Sequence, residues 1–259
     1  MDNRSEDTKA IEKFINLGCD ISGRVSGAAI GFLTGGFEGA LLGGATGSIF
    51  THLFREIGNE VIDRLLGSRE KVRIGAVAAF AISKVQENLS RGRCPRDDGF
   101  FNDGDNRSTA EEISEGVFQA AQKEYEEKKI KYLGNLLGNI AFTPNVTGAN
   151  ANFLIRTAQD LTYRQFCILA LIPRAKFYTM RPNDYRGSAI PLETIPILYE
   201  ITALYNQGLI NFGGEVLFGP TDVNPAKMKM QGIGADLYNH MELASIPQSD
   251  TDEVAKYLR

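Results

Sequence analysis

Apolar residues recur at three- and four-residue spacing along most of this chain, which is the signature of helices with one buried face. Residues 7–17 place Ala10, Ile11, Phe14, Ile15 and Leu17 near one face, a short amphipathic helix. Ser48–Leu66 repeats the pattern with Ile49, Leu53, Phe54, Ile57, Val61 and Leu65, and Gly67-Ser68 closes it. Residues 70–90 predict a further helix on an alanine-rich core of Val72, Ile74, Val77, Ala78, Ala81 and Val85. Ser108-x-x-Glu111 and Thr109-x-x-Glu112 are overlapping capping boxes, and the helix they open is expected to reach Phe142, with Pro144 ending it. Helices follow over 149–159, from Leu161-Thr162-x-x-Gln165 to Pro173, and within 192–210 up to Gly208. The periodicity then changes. Leu209–Phe212 and Glu215–Phe218 flank Gly213-Gly214, a hairpin signal, and Lys227–Gln231 alternates with methionine. A short helix over 233–238 and a last one over Ser249–Leu258 complete the chain.

One stretch breaks the ordinary pattern. Gly23, Gly27, Gly31, Gly35, Gly39, Gly43 and Gly47 stand at an unbroken spacing of four, separated almost wholly by apolar residues, with Glu38 the only charged side chain from Val25 to Phe54. On a helix these glycines share one slowly drifting face and leave a groove bare of side chains. Each glycine costs about 0.8–1.0 kcal/mol relative to alanine in a helix, so the repeat costs roughly 6–7 kcal/mol unless close backbone packing offsets it. Helices in lipid pack through such small-residue faces, and the stretch would span about 36 Å against a bilayer core of about 30 Å. The repeat resembles the glycine-zipper segments of membrane and pore-forming proteins. A buried helix pair in a soluble domain is the other reading. Gly35-Gly36 leaves one helix or a re-entrant hairpin open, and Glu38 either lines a pore or marks a solvated turn.

Composition narrows the classes. The chain has 259 residues, enough for one or two domains, and a net charge of -4 gives no general reason to expect nucleic acid. Cys19, Cys94 and Cys167 are isolated, which fits a reducing compartment rather than a disulfide framework. No secretory signal is expected, because acidic residues interrupt the start of the chain. After the glycine repeat, Arg55, Arg64, Arg69, Lys71 and Arg73 stand against Glu56, Glu60, Asp63 and Glu70, which favours a cytoplasmic C-terminal body if the repeat spans. By composition 1–90 reads as a glycine-zipper helical, membrane-active unit, 91–107 as a linker, and 108–259 as a helical domain.

Candidate chemistry is sparse. Asp97, Asp98, Asp103 and Asp105 do not match the calcium-loop spacing, and His52 and His240 lack ligand partners at zinc spacing. Neither a nucleotide-binding glycine loop nor a hydrolase motif occurs, so no catalytic residue, metal or cofactor is assigned and an enzyme is not expected. Asp222 and Asn224 sit in a loop with no evident partner. The order helix, hairpin, helix is that of a winged helix. Its candidate recognition helix, 192–206, carries Glu193 and Glu200 but no Lys or Arg, the wrong electrostatics for phosphate, although Arg174, Lys176, Arg181 and Arg186 cluster upstream.

The run Tyr125-Glu126-Glu127-Lys128-Lys129-Ile130-Lys131-Tyr132-Leu133-Gly134-Asn135-Leu136-Leu137 resembles bacterial abortive-infection proteins of the Abi-alpha type. So does the later pairing of Gly208-Leu209-Ile210 with Ile233–Tyr238. The resemblance covers about residues 115–240, rests on core and turn residues, and brings no catalytic residue. The fold expected from the residues is mainly α, a glycine-zipper N-terminal unit followed by a helical domain ending in a winged-helix-like β-hairpin, and the seven-glycine repeat departs from that family's pattern. The resemblance implies a bacterial anti-phage protein acting at a membrane. The expectation is a membrane-active effector of the bacterial cytoplasm or inner membrane that oligomerises through its seven glycines. Its partners would be the lipid bilayer, its own copies, and a sensor or regulatory protein of the same system. A soluble helical scaffold, and a winged-helix DNA-binding regulator, are the alternatives.

Overall fold

The computed structural model describes residues 67–102 and 107–259. The glycines from Gly23 to Gly47, Glu38, His52 and the helices expected over 7–17 and 48–66 lie outside the described residues. What is described is mainly helical, with eight α-helices and a small two-stranded antiparallel sheet. It divides into two compact units, the first ending at Gln159 and the second covering Asp160–Arg259.

In the first unit α1 (Ser68–Ser90) lies against α2 (Thr109–Lys123) and α3 (Ile130–Ile140). The alanine-rich face of α1 is fully used: Val72, Ile74, Val77, Ala78, Ala81 and Val85 are all buried. Glu70 at its start accepts the Gly67 amide at 2.7 Å, satisfying one of the amides that a helix N-terminus leaves without a partner. The predicted cap of α2 forms as a reciprocal pair: Glu111 N–H donates to Ser108 Oγ at 3.2 Å and Ser108 N–H to Glu111 Oε2 at 2.9 Å. Between the two overlapping capping boxes, packing selects the one led by Ser108, whose side chain is buried.

The long helix expected from 108 to 142 is two helices. The chain turns extended at Glu124 and re-enters through a 3-10 turn at Glu127–Lys129. An ion pair explains the break. Lys129 and Glu124 are both buried and meet at 2.5 Å, and the Lys129 ammonium also donates to Gln159 O at 3.0 Å at the end of α4 (Gly148–Asp160). A continuous helix would put these residues five apart, on different faces, and leave each charge uncompensated in the core.

Residues 91–102, read by composition as linker, carry no helix or strand but are held closely. Arg96 donates to Val146 O at 2.8 Å and Pro144 O at 3.2 Å, pairs with Asp98, and lies 4.3 Å from the Phe100 ring centroid. The Arg96 amide donates to Ala141 O at 3.1 Å. The loop therefore closes over the end of α3 rather than leading away from it.

In the second unit α5 (Tyr163–Arg174) is central, packed by α6 (Thr194–Asn206), α7 (Gly232–His240) and α8 (Gln248–Lys256). Its predicted cap forms, with Gln165 N–H donating to Thr162 Oγ1 at 3.1 Å. Pro173 falls in its last turn, one residue before the helix gives way to a 3-10 turn at Ala175–Phe177.

The hairpin differs from its sequence signal. Gly213 and Gly214 both take positive φ, 69° and 96°, and Phe212 bridges Glu215 as expected. The strand β1 (Ile210–Asn211) nevertheless pairs with β2 (Lys229–Met230), in the register Ile210↔Met230 and Asn211↔Lys229. Residues 216–228 loop out between them. The Asp222 carboxylate takes the Phe218 and Gly219 amides at 2.8 and 3.2 Å, so these two amides turn inward to a side chain instead of pairing along a strand.

Candidate functional site

The glycine repeat and Glu38, the residues that sequence singles out, lie beyond the described region. A smaller instance of the same spacing is described. Gly134 and Gly138 on α3 face α1 at a distance no side chain tolerates. A Cβ at Gly134 would stand 2.5 Å from Phe80 Cβ and 2.8 Å from Val77 O, and one at Gly138 would stand 2.6 Å from Lys84 Cβ and 2.8 Å from Ala81 O. The contact advances in step along both helices, from Val77 and Ala81 to Lys84, so α1 and α3 run in the same direction. Asn88 Nδ2 donates to Asn139 Oδ1 at 3.0 Å at the end of the contact. Here the glycines are a packing device: bare backbone on one helix receives the backbone of the next.

The second unit holds a cleft of about 600 Å³. It is lined by the loop Pro182–Arg186 and by the excursion after the glycine turn, Glu215–Phe218, together with Asp222, Asn224 and Lys227. Arg186 pairs with Asp184, its Nε donating to Asp184 Oδ2 at 2.8 Å, and lies 3.6 Å from Asp222 Oδ1. That guanidinium hydrogen bond holds the Asp184 carboxyl below the usual carboxylate range and raises Arg186 in turn. Lys227 pairs with Glu215 across the excursion. Asn224 is 6% exposed; its Nδ2 donates to Pro182 O at 2.7 Å, while its Oδ1 is buried with no hydrogen-bond partner among the described residues. Phe218, by contrast, is 92% exposed at the rim.

Asp222 and Asn224, which sequence leaves without partners, are thus brought together with Asp184, Arg186 and Glu215. The pairing was illegible because it depends on the loop at 182–186 folding onto a loop some forty residues later. Two of the four upstream basic residues, Arg174 and Arg181, serve the fold, while Lys176 is exposed. Arg174 donates to Ala244 O, Ile246 O and Thr251 Oγ1 at 2.6, 2.9 and 3.0 Å. Arg181 is turned onto Asp184 O at 3.1 Å and lies 4.5 Å from the Tyr185 ring centroid. His240 Nδ1 faces Asp236 O at 2.8 Å. Among the described residues no group of His, Cys, Asp and Glu could hold a metal ion, and no helix is long and apolar enough to cross a membrane. No protein-family model, curated protein or solved structure matches this chain.

Proposed function

We propose that this protein is a membrane-active effector of bacterial anti-phage abortive infection. In this reading the glycine faces of several copies pack together and make the inner membrane leaky, with the C-terminal body on the cytoplasmic side. The observation that carries it is the repeat Gly23, Gly27, Gly31, Gly35, Gly39, Gly43 and Gly47 with its apolar filling. A spacing of four along one helix face is suited to backbone contact in lipid, where burying apolar side chains brings little gain and close packing dominates. The contact of Gly134 and Gly138 with α1 supports it, since this chain already uses that spacing to bring two helices together. The resemblance to Abi-alpha proteins supports the biological setting. The order α6, β1, excursion, β2, α7 is read as winged-helix-like and as a module for protein contact. Its helix α6 has no Lys or Arg, and the nearby Arg174 and Arg181 are engaged with the unit's own backbone, so a DNA-binding regulator is not favoured.

The test is dye release from liposomes by the purified full chain, wild type beside Gly31→Leu/Gly35→Leu/Gly39→Leu. Release that the substitutions abolish, with the helical signal of 108–259 retained, supports a zipper-dependent pore. Equal release by both proteins refutes the glycine groove as the working surface. The contact in α3 also suits a soluble helical scaffold, in which the repeat packs inside an oligomer away from lipid. A monodisperse oligomer that does not float with liposomes is the outcome this second reading expects.

A further inference from the structure

The cleft of the second unit has a chemistry of its own, independent of whether the glycine repeat enters a membrane. Its titratable lining is acceptor-rich: Asp184, Glu215 and Asp222 against Arg186 and Lys227, and both cations are already paired, Arg186 with Asp184 and Lys227 with Glu215. To these is added Asn224. With Nδ2 held on Pro182 O, its amide has one orientation, and the end left without a partner is the acceptor Oδ1. Carboxylates outnumber cations in the lining three to two, and the buried atom of the lining left without a partner among the described residues is an acceptor, so the cleft calls for a donor. The rim adds a flat apolar surface, the Phe218 ring at 92% exposure beside Val216 at 64%.

We propose that the cleft binds an arginine side chain presented by an extended segment of a protein partner. A guanidinium combines what these walls ask for. It is planar and stacks on an aromatic ring, it carries five donors and no acceptor, and it is positively charged. The cleft volume lies within the range of sites that enclose small ligands or single side chains with their flanking backbone. Lysine offers the charge without the flat face, and a neutral apolar side chain offers contact with Phe218 without donors. Asn224 Oδ1 is closed from solvent in this conformation, so seating the arginine moves the excursion Glu215–Phe218 outward. That segment is held by the bridge Phe212↔Glu215, by the Phe218 N–H donating to Asp222 Oδ2 at 2.8 Å, and by the Glu215–Lys227 ion pair, whose side chains are 51% and 49% exposed. The ion pair is exposed and holds the loop by little.

The experiment is a nuclear magnetic resonance titration of the full chain with the capped tripeptide Ac-Ala-Arg-Ala-NH2, and with its lysine and norleucine counterparts. The readouts are the Asn224 side-chain amide and the Phe218 backbone amide. The expected result is a saturable shift at both, with the arginine peptide binding about tenfold tighter than the norleucine peptide. Phe218→Ser, a change at an exposed ring that leaves the fold alone, is expected to weaken the arginine peptide several-fold. No shift at Asn224, equal binding of the arginine and norleucine peptides, or unchanged binding by Phe218→Ser would each overturn the assignment.

Discussion

Adding one methyl group to Gly134 tests the helix contact at the centre of the first unit. The new Cβ would sit 2.5 Å from Phe80 Cβ, 2.8 Å from Val77 O and 3.0 Å from Ala81 N. Carbon atoms in good contact stand about 3.5–4.0 Å apart, so α3 must retreat from α1 by roughly 1 Å. Two of the three atoms met are backbone, which no rotamer change can move aside. Overpacking of this kind costs about 1–3 kcal/mol, and the backbone clash places Gly134→Ala near the upper end. The substitution also removes a helical glycine, a gain of about 1 kcal/mol. The net expectation is a loss of about 2 kcal/mol.

Gly116 supplies the control. It lies within α2, and a Cβ there meets only Ile155 Cδ1 at 3.6 Å and Asn152 Oδ1 at 4.0 Å, ordinary contacts. Gly116→Ala is therefore expected to stabilise by about 0.5–1 kcal/mol. Hydrogen exchange of the α1 and α3 amides in the full chain reads the first unit without the second. Exchange through unfolding should be about thirtyfold faster in Gly134→Ala, since each 1.36 kcal/mol is a factor of ten, and slower in Gly116→Ala. If both variants move the same way, the α1–α3 approach is not as close as described, and the packing role assigned to the four-residue glycine spacing fails with it.

Other expectations follow from single contacts. Lys129→Met leaves Glu124 buried without its cation and should cost about 3–5 kcal/mol, while adding Glu124→Leu should restore most of that loss; chemical denaturation of the three variants measures it. Ser108→Ala removes the α2 cap and should cost about 1 kcal/mol, read as faster exchange of the Glu111 and Glu112 amides. The hydrogen bond from Arg96 holds the Asp98 carboxyl below its ordinary value. The Asp98 contribution to the clasp on residues 91–102 is therefore complete above the unfolded carboxylate pKa of about 3.9 and is lost as pH falls through the lowered folded value. A titration of the Arg96 amide resonance should show that acid step in the wild type and not in Asp98→Asn.

Local sequence was sufficient wherever the governing interactions lie within a turn or two of each other. Helix faces over 70–90, 149–159 and 163–174, the caps at Ser108 and Thr162, and the glycine turn at Gly213-Gly214 depend on periodicity, a side chain three residues from its amide, or a positive φ. Each of these is written in neighbouring residues. The break at Glu124 was not legible, because helix periodicity runs through it. Only the burial of Lys129 against Glu124 and Gln159 O makes a bent chain cheaper than a straight one. The strand partner of Ile210–Asn211 was hidden for a related reason. Glu215–Phe218 is nearer in sequence, but Asp222 takes the Phe218 and Gly219 amides at its end, and Lys229–Met230 pairs instead. The glycine repeat, and the expectation of a mainly helical chain, belong to the sequence alone, since spacing along a helix is a one-dimensional property. That Gly134 and Gly138 receive the backbone of α1, and that Asp184, Asp222 and Asn224 share a cleft, belong to the tertiary structure. Those meetings join residues about forty to sixty positions apart, and chain packing rather than any local preference brings them together.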